Sequence, residues 1–582
     1  MRIAIVEKDK CHPDKCGDYL CARLCPVNRM DEECITKAED GKAAIDANLC
    51  TGCGICPKRC PFGAIHIINL PEELEHPIHQ FGDNEFHLYN LPIPIFGKVV
   101  GIVGANGIGK TTAIKILAGV LKPNLGKPEA CTYEELIKYF KGTEAQLFFE
   151  KVRDGDITIS YKPQQVDLIP KSFSGTVKEL LEKVDEEGRL DEVSELLDLG
   201  LIMENDISKV SGGELQRIAI AATVLKKANF YVFDEPTSYL DIKQRLKVSK
   251  FIRSLATPDT AVLVVEHDLI ILDYMTDLIH IMYGKEACYG IVSHPKTSKE
   301  GINEYLAGHI RDANMRFRDH AIKFESRAPP KASVTKDIVH WSGISGQYGP
   351  FKIEAPEGTL RSKEVIGILG ENGIGKTSFM KILAGVTKAD VGEVDTEVKV
   401  AYKSQYLDTT STEMVATFLN DAICNFNQAL IKPMGIDVFQ DRRLCDLSGG
   451  QLQRVAIAYC LSQDADLYLL DEPSAYLDVE QRLIASKLIR DLMDVRNKAC
   501  LVIDHDLLFI DYLSQRLMVF TGQPARYGMV TGPHLMQEGM NMFLEDLDMT
   551  FRRDMETHRP RANKPNSQLD RKQKAEKKLY YT

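Results

Sequence analysis

The chain has 582 residues, 44% hydrophobic and 27% charged, with a net charge of −11; single cores stop growing near ~250–300 residues, so three or four domains are expected. The negative balance excludes a generally basic nucleic-acid coat. No run of ~18 uncharged apolar residues occurs and the opening MRIAIVEKDK has no signal-peptide core, so a cytosolic protein that spans no membrane is expected.

Nine of the fifteen cysteines fall within the first sixty residues, which in a reducing compartment points to metal rather than disulfides. Cys50, Cys53, Cys56 and Cys60, the last followed by Pro61, have the spacing of a bacterial-type [4Fe–4S] ferredoxin, whereas zinc more often takes separated pairs. Cys11, Cys16, Cys21 and Cys25, with Pro26, repeat the Cys-Pro ending more loosely. In such motifs the fourth cysteine reaches the other cluster. The expectation is one cluster on Cys50, Cys53, Cys56 and Cys25, and a second on Cys11, Cys16, Cys21 and Cys60. Cys34 has no place in that scheme. The other six cysteines read as ordinary core or surface thiols.

Next comes the apolar run VVGIVG, then GANGIGKT from Gly104 to Thr111, then the helical pattern TTAIKILAGV. Strand, glycine-rich loop and helix in that order form a phosphate-binding loop. Gly104, Asn106, Gly107 and Gly109 let backbone N–H groups wrap a phosphate, Lys110 meets the β- and γ-phosphates, and Thr111, followed by Thr112, offers its hydroxyl to Mg²⁺. Between Lys122 and Ile159 lies a mixed-charge helical insertion, read either as plain surface or as a docking element. Gln164 follows, placed to sense γ-phosphate and Mg²⁺. Ser211, Gly212, Gly213 and Glu214 open a helix with an N-cap serine, a shape that suits phosphate. NFYVFDEPTSYLD then reads as a buried strand ending in Asp234 and Glu235, with Asp241 beyond. The Asp suits Mg²⁺ through water, and the Glu suits polarising the attacking water. His267 closes the set.

The whole order recurs: Gly370, Asn372, Gly373, Gly375, Lys376, Thr377 and Ser378; then Gln405; then Ser448, Gly449, Gly450 and Gln451; then Asp471, Glu472 and Asp478; then His505. The two sets differ in detail, with Glu214 against Gln451 and Pro163 against Ser404. From Phe551 onward ten Lys/Arg face four Asp/Glu, a local basic tail that is either solvated or a contact to an RNA-rich surface.

This ordered set resembles the ATP-binding cassette. In that family the SGG element of one cassette closes on nucleotide held by the other, so two cassettes in one chain imply an intramolecular head-to-tail pair. Lys110 would share ATP with Ser448, Gly449 and Gly450, and Lys376 with Ser211, Gly212 and Gly213. The fold class expected is α/β, with two such P-loop domains behind a small α+β ferredoxin-like iron–sulfur domain. The domains are expected at 1–72, 73–308 with the insertion near 122–159, a hinge at 309–330, 331–540, and a C-terminal hinge and basic tail at 541–582.

A double Cys-Pro block joined to twin cassettes is similar to one family nearly end to end: the ABC subfamily E proteins, the ribosome-recycling ATPases also called RNase L inhibitors. The resemblance also covers KPQQVDLIPK, GINEYLAGHIRDANMRFRD, GMNMFLEDLDMTFRRD and RPRANKPNS. It implies hinge contacts by Arg311, Arg316, Arg318, Arg552 and Arg553. It implies ATP, Mg²⁺ and two [4Fe–4S] clusters as cofactors, and ATP-driven splitting of ribosomes after termination or rescue. The partners implied are the small ribosomal subunit, with its rRNA and proteins, a termination or rescue release factor, and initiation factors, for a monomeric chain. Phe81 stands where the family usually has tyrosine, leaving Phe81 or Phe86 to face adenine. In the second cassette Trp341, Tyr348 and Phe351 all remain open for that role. Rival readings are the motor of a membrane transporter, an ATP-gated redox protein, and a scaffold that sequesters a nuclease.

Overall fold

The computed structural model describes all residues except 1, 7, 31, 39, 40, 47, 48, 70–76, 83, 84, 319, 320, 323, 325–335, 395–397, 406–410, 581 and 582. The expected boundary at 72/73 and much of the expected hinge at 309–330 lie outside the described residues. Two compact units are present: residues 1–236, 251–267 and 275–321 in the first, and 237–250, 268–274 and 322–582 in the second.

The first unit begins with a small lobe. Strand Arg2–Val6 pairs antiparallel with Ile65–Asn69, and Ile35–Lys37 with Ala43–Ile45. Two five-residue helices, Leu20–Leu24 and Ile55–Arg59, each start from a left-handed residue, Tyr19 and Gly54, and end at an extended cysteine, Cys25 and Cys60. Pro26 and Pro61 explain the ending, because a following proline pushes the preceding residue out of the helical region. The chain therefore leaves each helix abruptly. The lobe's core joins Val6, Ile35, Ile45 and Ile65 to buried cysteines.

Behind the lobe, among the described residues, stands a nine-stranded sheet. Its centre is parallel: Ile159–Lys162, Phe230–Asp234, Ala261–Val265, Val99–Val103 and Leu278–Lys285 in spatial order. Strands Val99–Val103, Phe230–Asp234 and Ala261–Val265 are buried at every position, as expected of strands covered on both faces. The glycine-rich loop follows Val99–Val103 and leads into helix Lys110–Leu117. The insertion folds as helices Tyr133–Tyr139 and Glu144–Asp154. It is not a loose appendage, since Leu136, Phe140, Phe148 and Phe149 join the cassette core.

The second unit repeats the plan. Strands Val400–Lys403, Leu467–Asp471, Ala499–Ile503, Val365–Leu369 and Arg516–Gln523 stand in the same spatial order, with Tyr527–Leu535 and Phe351–Ala355 beyond. The C-terminal segment is folded: hairpin Phe551–Arg553/Pro560–Ala562 is followed by helix Gln568–Ala575. The basic stretch, read as either a solvated tail or an RNA contact, is a folded segment. Arg559 is 0% exposed, and its charge and that of its neighbours are met by carboxylates distant in sequence.

Candidate active site

Both glycine-rich loops are shaped by backbone that favours glycine. Gly107, Gly109, Gly373 and Gly375 all have positive φ. A Cβ at Gly109 would lie 2.5 Å from the Phe86 ring, and one at Gly375 2.7 Å from the Phe351 ring. Each aromatic thus abuts its loop, and Phe86 and Phe351 hold equivalent places. Phe81 is 45% exposed near the tip of the preceding hairpin, whereas Trp341 is 1% exposed in the core. The Trp341 indole donates to Pro356 O at 2.8 Å, so Trp341 offers adenine no face.

Lys110 Nζ donates to Gly104 O at 3.0 Å and Ala105 O at 2.6 Å. Lys376 Nζ does the same to Gly370 O at 2.7 Å and Glu371 O at 2.8 Å. The ammonium is thus held on the loop by neutral carbonyls, poised for an anion. Burial pushes the Lys376 pKa down to about 8 against the pull of Asp241, Glu472, Asp471 and Glu371, and a bound phosphate would further favour its charged form.

Thr111 Oγ1 donates to Asp234 Oδ2 at 3.0 Å, and Thr377 Oγ1 to Asp471 Oδ2 at 2.8 Å. Burial, then the Glu235 charge, push Asp234 up to about 6. Asp234 Oδ1 is buried without a hydrogen-bond partner. A buried carboxylate with an orphaned oxygen beside a threonine hydroxyl fits a hard divalent cation. Thr111 and Asp234 in one cassette, and Thr377 and Asp471 in the other, would hold Mg²⁺, which would neutralise charge on the phosphates.

Glu235 and Glu472 follow their strands in left-handed backbone, each with φ 47°. Their N–H groups donate to Val265 O at 3.0 Å and Ile503 O at 2.8 Å. Gln164 Nε2 reaches Glu235 Oε1 at 2.8 Å, and Gln405 Nε2 reaches Glu472 Oε1 at 2.7 Å. His267 Nε2 lies 3.4 Å from Glu235 Oε1, and His505 Nε2 lies 3.6 Å from Glu472 Oε1. Burial works to raise Glu235, but His267 holds it down to about 2. Burial, then Asp471, push Glu472 up, and burial keeps His505 well below its usual range. Each cassette therefore gathers a carboxylate, an amide and an imidazole beside its phosphate loop, a set able to orient and polarise one water.

Four further groups escaped the sequence reading. Lys162 Nζ donates to Asp234 O at 2.9 Å and Glu235 O at 3.3 Å; Lys403 Nζ donates to Asp471 O at 2.7 Å and Glu472 O at 3.4 Å. Gln216 Nε2 donates to Glu235 O at 2.6 Å, and Gln453 Nε2 to Glu472 O at 2.7 Å. Together they pin the strained turn that carries the glutamate. Their identical placement in the two motif repeats was the available signal.

Ser211 and Ser448 cap helices Gly212–Val224 and Gly449–Ser462 through capping boxes with Glu214 and Gln451. Both serines stand exposed, as do Gly212 and Gly449. Asp478 caps helix Val479–Arg496 by accepting from Gln481 N at 2.9 Å. Within the second unit, Asp241 Oδ2 accepts the N–H of Asn372 at 3.0 Å, and Lys243 Nζ meets Glu371 at 2.8 Å. Of the arginines expected at hinges, Arg553 pairs with Asp511 at 2.7 Å, and Arg318 lies over Tyr305 and Phe317. Arg559 and Arg561 instead meet Asp273, at 3.2 and 2.6 Å.

In the N-terminal lobe the cysteines gather in two sets. Cys11 feels the charges of Cys60 and Cys16, and Cys21 those of Cys11 and Cys16. Cys25, Cys50, Cys53 and Cys56 line one cavity. Burial pushes the Cys21 thiol up to about 11 and Cys56 up to about 12, a penalty that binding to iron as thiolates removes. Among the described residues, no three His, Cys, Asp or Glu converge closely enough for a single metal ion. Two sets of four thiols fit cubane clusters, which would supply rigid multi-thiolate cross-links.

Comparison with known proteins agrees with this geometry. Models described as ABC transporter match residues 95–238 and 353–475, a possible Fer4-like domain in RNase L inhibitor matches 1–33, and a 4Fe-4S binding domain matches 43–66. An uncharacterized ABC transporter ATP-binding protein of Methanocaldococcus jannaschii is 50% identical over 100% of this chain and 98% of its own. ABC transporter E family member 1 of Arabidopsis thaliana is 44% identical over 100% of this chain and 98% of its own. The chain belongs to the ABC E family. A structure of ribosome-bound archaeal Pelota and ABCE1 superposes on this E-family chain with TM-score 0.93 and 51% identity, covering 100% of it and 99% of that chain. A complex of archaeal ribosomal stalk protein aP1 with the archaeal ribosome recycling factor aABCE1 gives TM-score 0.83 and 49% identity, covering 88% and 100%. This E-family member is an ATP hydrolase whose cofactors are ATP, Mg²⁺ and [4Fe–4S] clusters.

Proposed function

We propose that this chain is an ATP-driven ribosome recycling factor, acting in the cytoplasm as a monomer. It splits ribosomes after termination or rescue and then stays on the small subunit, where initiation factors join. The observation that carries the reading is full-length likeness, through both cassettes and the cysteine lobe, to a protein whose structure is described as ribosome-bound with Pelota.

ATP serves as a clamp in this reading. Nucleotide on Lys110 is completed by Ser448, Gly449 and Gly450, and nucleotide on Lys376 by Ser211, Gly212 and Gly213. Because each site needs groups from both cassettes, ATP binds the closed state more tightly and shifts the population toward it. Glu235 and Glu472 act as general bases on the attacking water, oriented by His267 and His505. Cys11, Cys16, Cys21 and Cys60 hold one cluster, and Cys25, Cys50, Cys53 and Cys56 the other, making the lobe a rigid lever.

The test is sedimentation of a Glu235→Gln, Glu472→Gln double variant with ATP. Turnover is expected to fall by about 10²–10⁴-fold while ATP stays bound, trapping the protein on small subunits. Free sedimentation of the ATP-loaded variant overturns the reading.

A further inference from the structure

Each phosphate loop is braced from outside by a hairpin turn, and the two turns differ in charge. In the first cassette strand Leu278–Lys285 turns into Tyr289–Val292 through Glu286, Ala287 and Cys288, with Lys285 opposite Tyr289. In the second, Arg516–Gln523 turns into Tyr527–Leu535 through Pro524, Ala525 and Arg526, with Gln523 opposite Tyr527. Ala287 and Ala525 share left-handed backbone, with φ 57° and 60°. Their N–H groups donate to the loops, Ala287 to Gly107 O at 3.1 Å and Ala525 to Gly373 O at 2.9 Å. The backbone therefore seats both turns alike, and the chain supplies its own comparison. A Cβ on Gly107 would lie 2.6 Å from Glu286 Cγ and 3.4 Å from its Oε1. A Cβ on Gly373 would instead lie 3.8 Å from Pro524 Cβ, with no charged atom among its nearest neighbours. The second loop has an acid of its own, Glu371 in place of Ala105, but Lys243 Nζ meets it at 2.8 Å.

We propose that Glu286 is an affinity-determining residue of the first ATP site, lowering that site's hold on nucleotide by setting a carboxylate against the loop that takes the phosphates. The loop attracts an anion through its backbone N–H groups and the start of helix Lys110–Leu117, which carries positive partial charge. A negative charge laid on Gly107 opposes that same field. Glu286 and Pro524 are both exposed, so water and salt weaken the repulsion without abolishing it at this short range. The penalty grows with the number of phosphate charges and is absent for a nucleoside. Nucleotide consequently leaves the first site sooner than the loop alone would allow, while the chemical step stays with Glu235. The second cassette, with neutral Pro524 at the same place, lacks this brake.

The experiment measures equilibrium binding to the full chain by displacement of a fluorescent ADP, using adenosine, ADP and the non-hydrolysable analogue AMPPNP. Lys376→Ala silences the second site, so the first is read alone, with and without Glu286→Gln. The Gln variant is expected to bind AMPPNP about three- to fivefold more tightly and ADP about twofold more tightly, with adenosine unchanged. The gain should shrink toward unity at about 0.5 M KCl, where charges are screened within a few ångströms. The reciprocal change, Pro524→Glu in a Lys110→Ala chain, should weaken AMPPNP at the second site several-fold and spare adenosine. A variant-to-parent ratio that is the same for adenosine as for AMPPNP, whether unity or not, overturns the proposal. So does weaker AMPPNP binding by the Gln variant, which would make Glu286 a contact to the nucleotide, and so does a gain that salt leaves untouched.

Discussion

Lys162 and Lys403 show how much one buried side chain determines at the site. Each places its ammonium on the two carbonyls of a turn whose glutamate sits in left-handed backbone. Burial holds both lysines down to about 8, so the fold bears a cost for keeping them there. Lys162→Met and Lys403→Met are expected to lower kcat by roughly 10- to 100-fold, because small displacements of a catalytic group are costly. The KM for ATP should stay within about twofold, since neither lysine faces the nucleotide's place on the loop. Steady-state phosphate release checks this, and a rise in KM with kcat intact refutes the positioning role. The motif residues were legible because both repeats spell them in order. The lysines were not, because a single charged residue in a strand pattern reads as a solvated edge until its partners are known. Trp341, one of three aromatics the sequence left open for adenine, has its indole spent on Pro356, which no local pattern announces.

Among elements, the C-terminal hairpin gives the clearest pH dependence. Burial works to raise the Asp554 carboxyl, but the N–H groups of Glu556 and Thr557 and the guanidiniums of Arg559 and Arg561 hold it down to about 2 from 3.8. A depressed carboxyl stabilises the fold above its unfolded pKa and loses that contribution as pH falls. The hairpin is thus expected to be fully protected near neutrality and to loosen between about pH 4 and pH 2. Hydrogen exchange over residues 551–563 measures it, and Asp554→Asn should remove this part of the acid response. Sequence alone left this element open between a solvated tail and an RNA contact, because ten basic residues against four acidic ones name no partners. The compensating carboxylates of Asp273 and Asp511 lie outside the stretch in which charges were counted. The small helices before Pro26 and Pro61 were easier, since proline dictates the exit from a local pattern.

At the scale of the whole molecule, the second unit takes in residues 237–250 and 268–274, which the sequence assigns to the first cassette. Asp273 ties that segment to the C-terminal hairpin: it accepts from Arg561 at 2.6 and 2.9 Å and from Arg559 at 3.2 Å. Removing one partner of a buried ion pair strands the other, a loss of ~3–5 kcal/mol. Asp273→Asn is accordingly expected to raise exchange at residues 268–274 and 559–562 together. A change confined to one of those stretches speaks against the tie. The cassette order and twin sheets were readable from motif spacing. This shared membership was not, because it depends on pairs almost three hundred residues apart.

The aromatic rings against Gly109 and Gly375 carry an implication for how either loop can change over generations. Trimming Phe86 would clear the steric obstacle beside position 109, yet φ there remains +89°, a torsion that costs a larger residue about 1–3 kcal/mol. No two-step route of shaving the ring and then enlarging the glycine escapes the second barrier. Position 375, at φ +97° beneath Phe351, is closed in the same two ways, so neither half of the chain offers the other a freer template to copy.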